Sequence, residues 1–151
     1  MIKPGNLTRC KDMIYRRYAH CMVGVFDSIF AIGGYMHVNK PGVKAISLRC
    51  VEKFSIASQE WIEVSPMNTA RAFFGAVTIM DQFIYTFGGF DGFKMLKSFE
   101  KYDDIVNSWT SIMLELPSPL AKMGVMALAE AGNYDKTDVL ILGGIGEDFV
   151  R

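Results

Sequence analysis

The sequence is poor in the residues from which most metal and catalytic sites are built. It has two histidines and three cysteines among its 151 residues, and no C-x-x-C pair. His20 and Cys21 are neighbours on a predicted strand, where successive side chains point to opposite faces, so they cannot easily share an ion. A site of clustered His, Cys and carboxylate ligands is therefore not expected. We expect no metal and no cofactor.

The sequence also lacks an excess of charge of either sign. Its 16 Lys and Arg residues balance its 16 Asp and Glu residues, which argues against nucleic acid or an anionic membrane as a partner. No apolar run approaches the roughly 18 residues of a membrane-spanning helix, and the start MIKPGNLTRCKD lacks the apolar core of a secretion signal. Three cysteines do not make a disulfide scaffold. We expect a cytoplasmic protein.

Glycine, by contrast, occurs in a regular pattern. Three glycine pairs recur at a constant interval of 55 residues: Gly33 and Gly34, Gly88 and Gly89, Gly143 and Gly144. Each pair ends a short apolar run, and the three runs read SIFAIGG, FIYTFGG and DVLILGG. Each run follows another apolar segment after a turn. Self-similarity at a fixed period indicates a repeat protein.

A second set of residues repeats at an interval of 48. A glutamate, an aromatic residue and a tryptophan recur as Glu52, Phe54 and Trp61, then as Glu100, Tyr102 and Trp109. The two intervals differ because about seven extra residues, HVNKPGV, follow the first glycine pair, and about seven, EAGNYDK, precede the third. Insertions of this kind are typical of loops. The underlying unit is near 48 residues.

The stretch IYTFGGFDGF allows a different interpretation, in which the glycines hold a phosphate. A dinucleotide site needs the full G-x-G-x-x-G spacing and a helix that begins at the turn. Here Asp91 and Gly92 form a hairpin-type turn after the glycine pair, and the next residues favour another strand. The glycines are better explained as positions of positive φ or of close backbone approach.

A period near fifty residues, with four short strands per unit, is typical of a β-propeller. The sequence resembles the kelch-repeat family in its glycine pair, its Glu-x-Tyr/Phe and Trp positions, and its linker SPMNTAR, over roughly Asn6 to Gly144. It departs from that pattern at Leu7, which replaces a tryptophan, and at PSPLAK, which lacks the linker arginine. The resemblance implies an all-β chain, a fragment of a kelch-type β-propeller with four-stranded antiparallel blades.

The repeat predicts four parts of the chain. Residues 1–16 are the last strand of a preceding blade, near Asn6 to Cys10, with its linker; 17–65 are the first blade, 66–116 the second, and 117–151 the first two strands of a third. Propellers usually have four to eight blades, so the ring is incomplete. An incomplete ring has three explanations. The chain is a piece of a longer protein, or it assembles with copies of itself, or it is a poorly soluble fragment. The basic start and the acidic end favour a head-to-tail contact.

A four-stranded sheet cannot bury both of its faces alone, so successive blades must stack. We expect large aromatic residues to fill the gaps between blades and the glycine pairs to let the backbones approach. The residues with this predicted structural role are Phe54, Trp61, Tyr102, Trp109, Gly33, Gly34, Gly88, Gly89, Gly143 and Gly144.

Catalysis is not expected. The acidic pairs Asp103-Asp104 and Glu147-Asp148 lie in turns or near the end of the chain, and no G-x-S-x-G motif occurs. The resemblance instead implies a protein-protein interaction module that binds a partner, such as an acidic peptide or loop, at one rim of the ring. A propeller enzyme acting on a carbohydrate is the alternative.

The resemblance also implies which residues lie at that rim. Tyr35 and Phe90 follow the first two glycine pairs, Ile145 follows the third, and Arg17 and Arg71 end two linkers. Aromatic and arginine side chains are the residues that binding hot spots favour. The arginines could instead stabilise the loops through backbone carbonyls, and the aromatic rings could pack on neighbouring loops.

Overall fold

The protein consists of β-strands joined by short turns. The computed structural model describes residues 9–130 and 133–146, and within them it has twelve strands and no helix, hence none that could cross a membrane. The strands are β1 (Cys21–Val25), β2 (Ser28–Ile32), β3 (Tyr35–Lys40), β4 (Val43–Ser47), β5 (Val51–Ser55), β6 (Glu60–Val64), β7 (Gly75–Ile79), β8 (Phe83–Phe87), β9 (Ser98–Asp103), β10 (Ser108–Glu115), β11 (Ala121–Glu130) and β12 (Asn133–Ile145).

Pairing of these strands produces the predicted antiparallel sheets. The first sheet has the order β1-β2-β5-β6 and the second the order β7-β8-β9-β10, while β11 and β12 form a two-stranded third sheet. Neighbouring strands pair antiparallel throughout. The expected fold class, all-β with four-stranded antiparallel sheets, is confirmed.

Two segments differ from the expected pattern. The insertion after the first glycine pair, expected as a loop, lies in an antiparallel ribbon formed by β3 and β4. The strand predicted near Asn6 to Cys10 lies mostly outside the described residues, and residues 9 and 10 are not in a strand. The blade boundaries stay a prediction, although each sheet lies inside one predicted blade.

The sheets stack face to face along the chain. We call the face that a sheet turns toward the next sheet its trailing face, and the opposite face its leading face. Buried residues of the first sheet, such as Phe30 and Ile32, pack in one cluster with Ile84 and Tyr102 of the second sheet and with Phe74 of the linker that leads into it. A second cluster joins the second and third sheets. Burial of each such side chain contributes about 1.5–3 kcal/mol.

Two of the predicted aromatic residues, Tyr102 and Trp109, lie between the first and second sheets, and the other two, Phe54 and Trp61, lie on the leading face of the first sheet. Trp109 is 9% exposed, its ring centroid lies 5.1 Å from that of Tyr102, and its Nε1–H donates to the backbone oxygen of Ser65 at 2.8 Å. Trp61 repeats this arrangement on the first sheet, 5.0 Å from Phe54. Trp61 Nε1–H donates to the backbone oxygen of Lys11 at 3.0 Å, so each tryptophan joins its own sheet to the segment that precedes that sheet.

The glycine pairs mark where the linker into the next sheet contacts the preceding one. Gly33 and Gly88 have φ of 56° and 57°. A Cβ atom on Gly33 would lie 2.5 Å from the backbone oxygen of Arg71, and one on Gly88 would lie 2.3 Å from that of Leu120. No side chain fits between backbones this close. The glycines are therefore needed for both conformation and space.

In the first two pairs, the second glycine donates a hydrogen bond to the same backbone oxygen of the linker. Gly34 N–H donates to the oxygen of Arg71 at 2.7 Å, and Gly89 N–H donates to that of Leu120 at 2.8 Å. At the third pair the surroundings differ, because nothing lies within 4 Å of a Cβ built on Gly143, although its φ is 65°. The first two pairs thus hold a following linker, and Gly143 contacts none in the described chain.

This difference provides a matched pair of variants. Gly143→Ala should cost only the strain of a positive φ, about 1–2 kcal/mol. Gly88→Ala should cost that strain plus the clash with the backbone of Leu120, a further ~1–3 kcal/mol of the kind caused by overpacking. Urea unfolding of both variants measures the two losses. Equal losses would contradict the role assigned to backbone contact.

Trp109 provides a test of stacking. Trp109→Ala should lower the free energy of unfolding by about 3–5 kcal/mol, because it removes a large buried side chain. Trp61→Ala should cost less, since Trp61 is only half-buried. Denaturant unfolding followed by tryptophan fluorescence of the remaining indole compares the two. A loss below about 1 kcal/mol for Trp109→Ala would show that its ring does not fill the space between sheets.

Candidate partner-binding rim

One edge of the stacked sheets is formed by three residues in an unusual backbone conformation. Ala19, Phe73 and Lys122 occupy equivalent places in the three repeats, and their φ angles are 52°, 55° and 59°. Phe73 N–H donates to the oxygen of Ala19 at 3.0 Å, and Lys122 N–H donates to that of Phe73 at 2.6 Å. We call this edge the rim. Positive φ at bulky residues is strained and is often found at functional sites.

The residues after the glycine pairs also lie at the rim, as predicted for a propeller. Tyr35 forms an isolated bridge with Tyr18, and Phe90 forms one with Ala72. In the third sheet Ile145 pairs with Ala121 in the same way. Each of these residues is therefore held against the linker at the head of its own repeat.

The rings at the rim contact one another across the repeats. The ring centroid of Tyr35 lies 5.6 Å from that of Tyr18, 5.4 Å from that of Phe73 and 6.3 Å from that of Phe90. We call these four residues the aromatic patch. Tyr18 is exposed, whereas the other three rings are half-buried. Contact among rings from different linkers limits their motion.

Three cationic residues and one acidic residue, Asp91, lie in the chain segments near the aromatic patch. Arg16, Lys94 and Lys122 are exposed and form no salt bridge with any residue between 9 and 130 or 133 and 146. Lys122 Nζ lies 5.2 Å from the ring centroid of Phe73. The nearby carboxylate of Asp91 accepts the backbone N–H groups of Phe93 and Lys94 at 2.7 and 2.8 Å. A cavity of about 430 Å³ between Arg16 and His37 borders the patch.

Arg71, one of the two arginines predicted to contact a partner, lies in the interior. Its side chain is fully buried and donates to the backbone oxygens of Gly88 and Ser98 at 2.8 and 2.7 Å. It also donates to Glu100 Oε1 at 3.0 Å. Burial lowers the pKa of Arg71, and the carboxylate of Glu100 opposes that shift.

Arg17 repeats this arrangement in the first sheet. Its fully buried guanidinium pairs with Glu52 and donates to the backbone oxygens of Gly33 and Cys50, both at 2.9 Å. The geometry supports the second of the two roles considered for Arg17 and Arg71, because neither guanidinium reaches the surface. These arginines hold the linkers that carry the rim.

The sequence pattern showed the 48-residue interval between Glu52 and Glu100, but it did not identify these glutamates as the partners of Arg17 and Arg71. Glu100 accepts the backbone N–H groups of Asn68 and Thr69 at 2.7 and 3.0 Å. Glu52 accepts those of Ile14 and Tyr15 at 2.6 and 3.2 Å. Each glutamate therefore binds both the arginine and the backbone of one linker.

The thiols at this end of the molecule are not activated for chemistry. Cys21 Sγ–H donates to the backbone oxygen of Phe74 at 2.9 Å, and burial raises its pKa to about 12. Burial also raises the pKa of Cys50. A neutral thiol is a poor nucleophile and a poor metal ligand. In the described part of the chain, no group of three or more His, Cys, Asp or Glu residues could hold a metal ion.

A double-mutant cycle tests the buried pair. Arg71→Met alone should cost about 3–5 kcal/mol, because it leaves the carboxylate of Glu100 buried and unpaired. Glu100→Gln keeps the shape and removes the charge, so in the Arg71→Met background it should cost much less than it does alone. Unfolding free energies of the wild type, both single variants and the double variant give the coupling. Additive losses would contradict a direct pair.

Comparison with known proteins agrees with this geometry. The family model described as Kelch motif matches residues 16–68, which hold the first sheet and the linkers on both sides of it. Kelch-like protein 35 of Mus musculus is 30% identical over 137 residues, 91% of this chain. Kelch-like protein 40 of Mus musculus is 30% identical over 76% of the chain, and alpha-scruin of Limulus polyphemus is 25% identical over 85%.

These curated relatives are much longer, since the matched region is 21%, 17% and 13% of their respective lengths. The matched family model, the relatives and the stacked antiparallel sheets confirm the resemblance noted in the sequence. The chain belongs to the kelch-repeat family, and its sheets are part of a β-propeller.

Proposed function

We propose that this chain is a non-catalytic protein-interaction module whose aromatic patch binds an acidic segment of a partner protein. One observation carries the proposal: rings from two successive repeats form a single patch, and exposed Lys122, which forms no salt bridge with any described residue, lies over the Phe73 ring of that patch. Tyr35 and Phe90, two of the residues named from the sequence, supply contact area in this proposal. Arg17 and Arg71 act indirectly, as positioning residues.

The aromatic patch suits a protein ligand. Aromatic residues dominate the energetics of protein interfaces, because one rigid ring buries a large area and loses little conformational entropy. The rings of Tyr18, Tyr35 and Phe73 are already in contact before any ligand arrives. Burial raises the pKa of Tyr35, so its phenol stays a neutral hydrogen-bond donor at pH 7.

The charge near the patch favours an acidic ligand. Arg16, Lys94 and Lys122 have no carboxylate partner within residues 9–130 and 133–146, so a ligand carboxylate would not have to displace an internal ion pair. Exposed charge pairs add little affinity each, and they mainly direct association and make it sensitive to salt. The rings are therefore expected to supply affinity, and the cations to supply selectivity.

The comparisons leave the partner open. The names of these relatives specify no ligand, and the chain spans only about a fifth of the length of Kelch-like protein 35. The acidic character of the ligand is inferred from the rim itself. Cytoplasmic location and the absence of catalysis stay predictions.

Lys122→Glu tests the proposal, with Lys101→Glu as the matched control. Both lysines lie over a phenylalanine ring, Lys122 over Phe73 at 5.2 Å and Lys101 over Phe83 at 3.6 Å, but Phe83 begins β8 at the opposite edge of the second sheet. The probes are fluorescent 12-residue synthetic peptides that alternate aliphatic residues with either glutamate or glutamine. Anisotropy titrations at low and high salt measure binding.

We expect the glutamate peptide to bind more tightly than the glutamine peptide at low salt, and the difference to shrink at high salt. Lys122→Glu should weaken glutamate-peptide binding at low salt by roughly three- to tenfold, equivalent to about 0.7–1.4 kcal/mol, because it replaces a weak attraction by a weak repulsion, whereas Lys101→Glu should leave it unchanged. Equal binding of the two peptides would refute an acidic ligand. Loss of affinity in the control variant alone would place the site at the other edge.

A further inference from the structure

The edge of the sheets opposite the rim is formed by turns that join neighbouring strands. These turns are residues 26–27 between β1 and β2, 56–59 between β5 and β6, 80–82 between β7 and β8, and 104–107 between β9 and β10. We call this edge the far edge. Successive sheets pack through their faces, so these turns stay open to solvent whether or not further repeats follow.

Phe26 lies in a turn that favours other residue types. Val25 pairs with Ser28, which leaves Phe26 and Asp27 as the turn, and Phe26 has a φ of 49°. A tight turn with positive φ normally has glycine, asparagine or aspartate. The ring adds little to internal packing, because Phe26 is 78% exposed. The fold therefore gives no reason for a phenylalanine at this position.

Met80 repeats the arrangement in the second sheet. Ile79 pairs with Phe83, and Met80, the first residue of the turn between them, has a φ of 57° and is 46% exposed. Phe26 and Met80 are each unfavourable in two ways, through backbone strain and through apolar surface left in water. Strain and exposed apolar surface are both typical of binding sites.

Within each sheet, a hydrogen bond joins the two turns of the far edge. Ile56 N–H donates to the backbone oxygen of Asp27 at 3.0 Å in the first sheet. In the second sheet, Asp104 N–H donates to the backbone oxygen of Gln82 at 3.2 Å. The two turns of a sheet therefore form one continuous surface.

A hydrogen bond between the sheets brings the strained turns together. Thr78 Oγ1–H donates to the backbone oxygen of Gly24 at 2.8 Å. Gly24 and Thr78 lie two residues before Phe26 and Met80, so these two side chains come from adjacent turns. Large apolar residues of the other turns are exposed as well. We call the whole set the far-edge patch; its residues are Phe26, Ile56, Met80, Ile105 and Val106.

The charge at the far edge is mainly negative. Asp27 and Asp81 are exposed and form no salt bridge with any residue that the structure describes. The hydrogen bond from Gln82 lowers the pKa of Asp103, so this carboxylate is ionised at pH 7. The lysines near these turns have partners: Lys53 pairs with Asp104, Lys11 pairs with Glu60, and Lys101 lies over the ring of Phe83.

We propose that the far-edge patch binds a basic amphipathic segment of a partner protein. Phe26 and Met80 supply its apolar contacts, and Asp27 and Asp81 attract its lysine or arginine residues. The apolar side chains provide affinity, and the carboxylates provide selectivity for positive charge. Because the ligand proposed for the rim is acidic, one chain could hold two segments of opposite charge at its two edges.

Phe26→Asn separates binding from folding. Asparagine adopts positive φ more readily than phenylalanine and adds no charge, so the urea midpoint of the variant should equal or exceed that of the wild type. The probes are fluorescent synthetic peptides of about 15 residues, with leucine on one helical face and either lysine or glutamine on the other. Anisotropy titrations at low and high salt measure binding.

We expect the lysine peptide to bind more tightly than the glutamine peptide, and the difference to shrink at high salt. Phe26→Asn should weaken lysine-peptide binding by roughly tenfold, because it removes an aromatic contact, and Met80→Asn should weaken it in the same direction. The matched control is Phe93→Asn, the same substitution at a 94% exposed phenylalanine in the loop after the second glycine pair, which should leave binding unchanged.

Unchanged affinity in both Phe26→Asn and Met80→Asn would overturn the proposal. So would equal binding of the two peptides, no binding of the lysine peptide, or a lower urea midpoint for both variants, since the last result would show that the fold needs these side chains. Sedimentation velocity tests another occupant. Self-association of the wild type that disappears in Phe26→Asn would assign the far edge to a second copy of the chain and overturn binding of a partner segment.

Discussion

The structure depends on the contact between a glycine pair and the backbone oxygen of the linker that enters the next sheet. At Gly33-Gly34 this oxygen belongs to Arg71, and at Gly88-Gly89 it belongs to Leu120. The contact sets the distance between sheets, and the packed faces and the rim both follow from it. A Cβ at Gly33 or Gly88 would separate the backbones and weaken every interaction beyond them.

Arg71, a linker residue, contacts both the sheet before it and the sheet after it. Its backbone oxygen binds the glycine pair of the preceding sheet, while its guanidinium binds Glu100 and two backbone oxygens of its own sheet. A buried ion pair adds little net stability, but here it determines where the linker lies. In the third repeat Leu120 keeps the backbone contact without the guanidinium, which shows that the two roles are separable.

Much of the fold was predictable because the repeated residues are of types that few other residues can replace at these positions. Glycine is favoured where φ is positive, tryptophan where sheets stack, and alternating apolar residues where a strand has one buried face. The spacing of these residues therefore predicted the four-stranded sheets. The position of Arg17 and Arg71 was not predictable, because a linear pattern does not show to which side of a linker a side chain turns. The positive φ of Phe73 gave no signal either, since it arises from the hydrogen bonds between linkers.

The rim is built from hydrogen bonds between successive linkers. Lys122 N–H donates to Phe73, as Phe73 N–H does to Ala19, so a following repeat would donate to the backbone oxygen of Lys122. The chain of hydrogen bonds between linkers would continue into that repeat. The rim therefore grows by one linker with each added repeat, because each linker donates to the one before it.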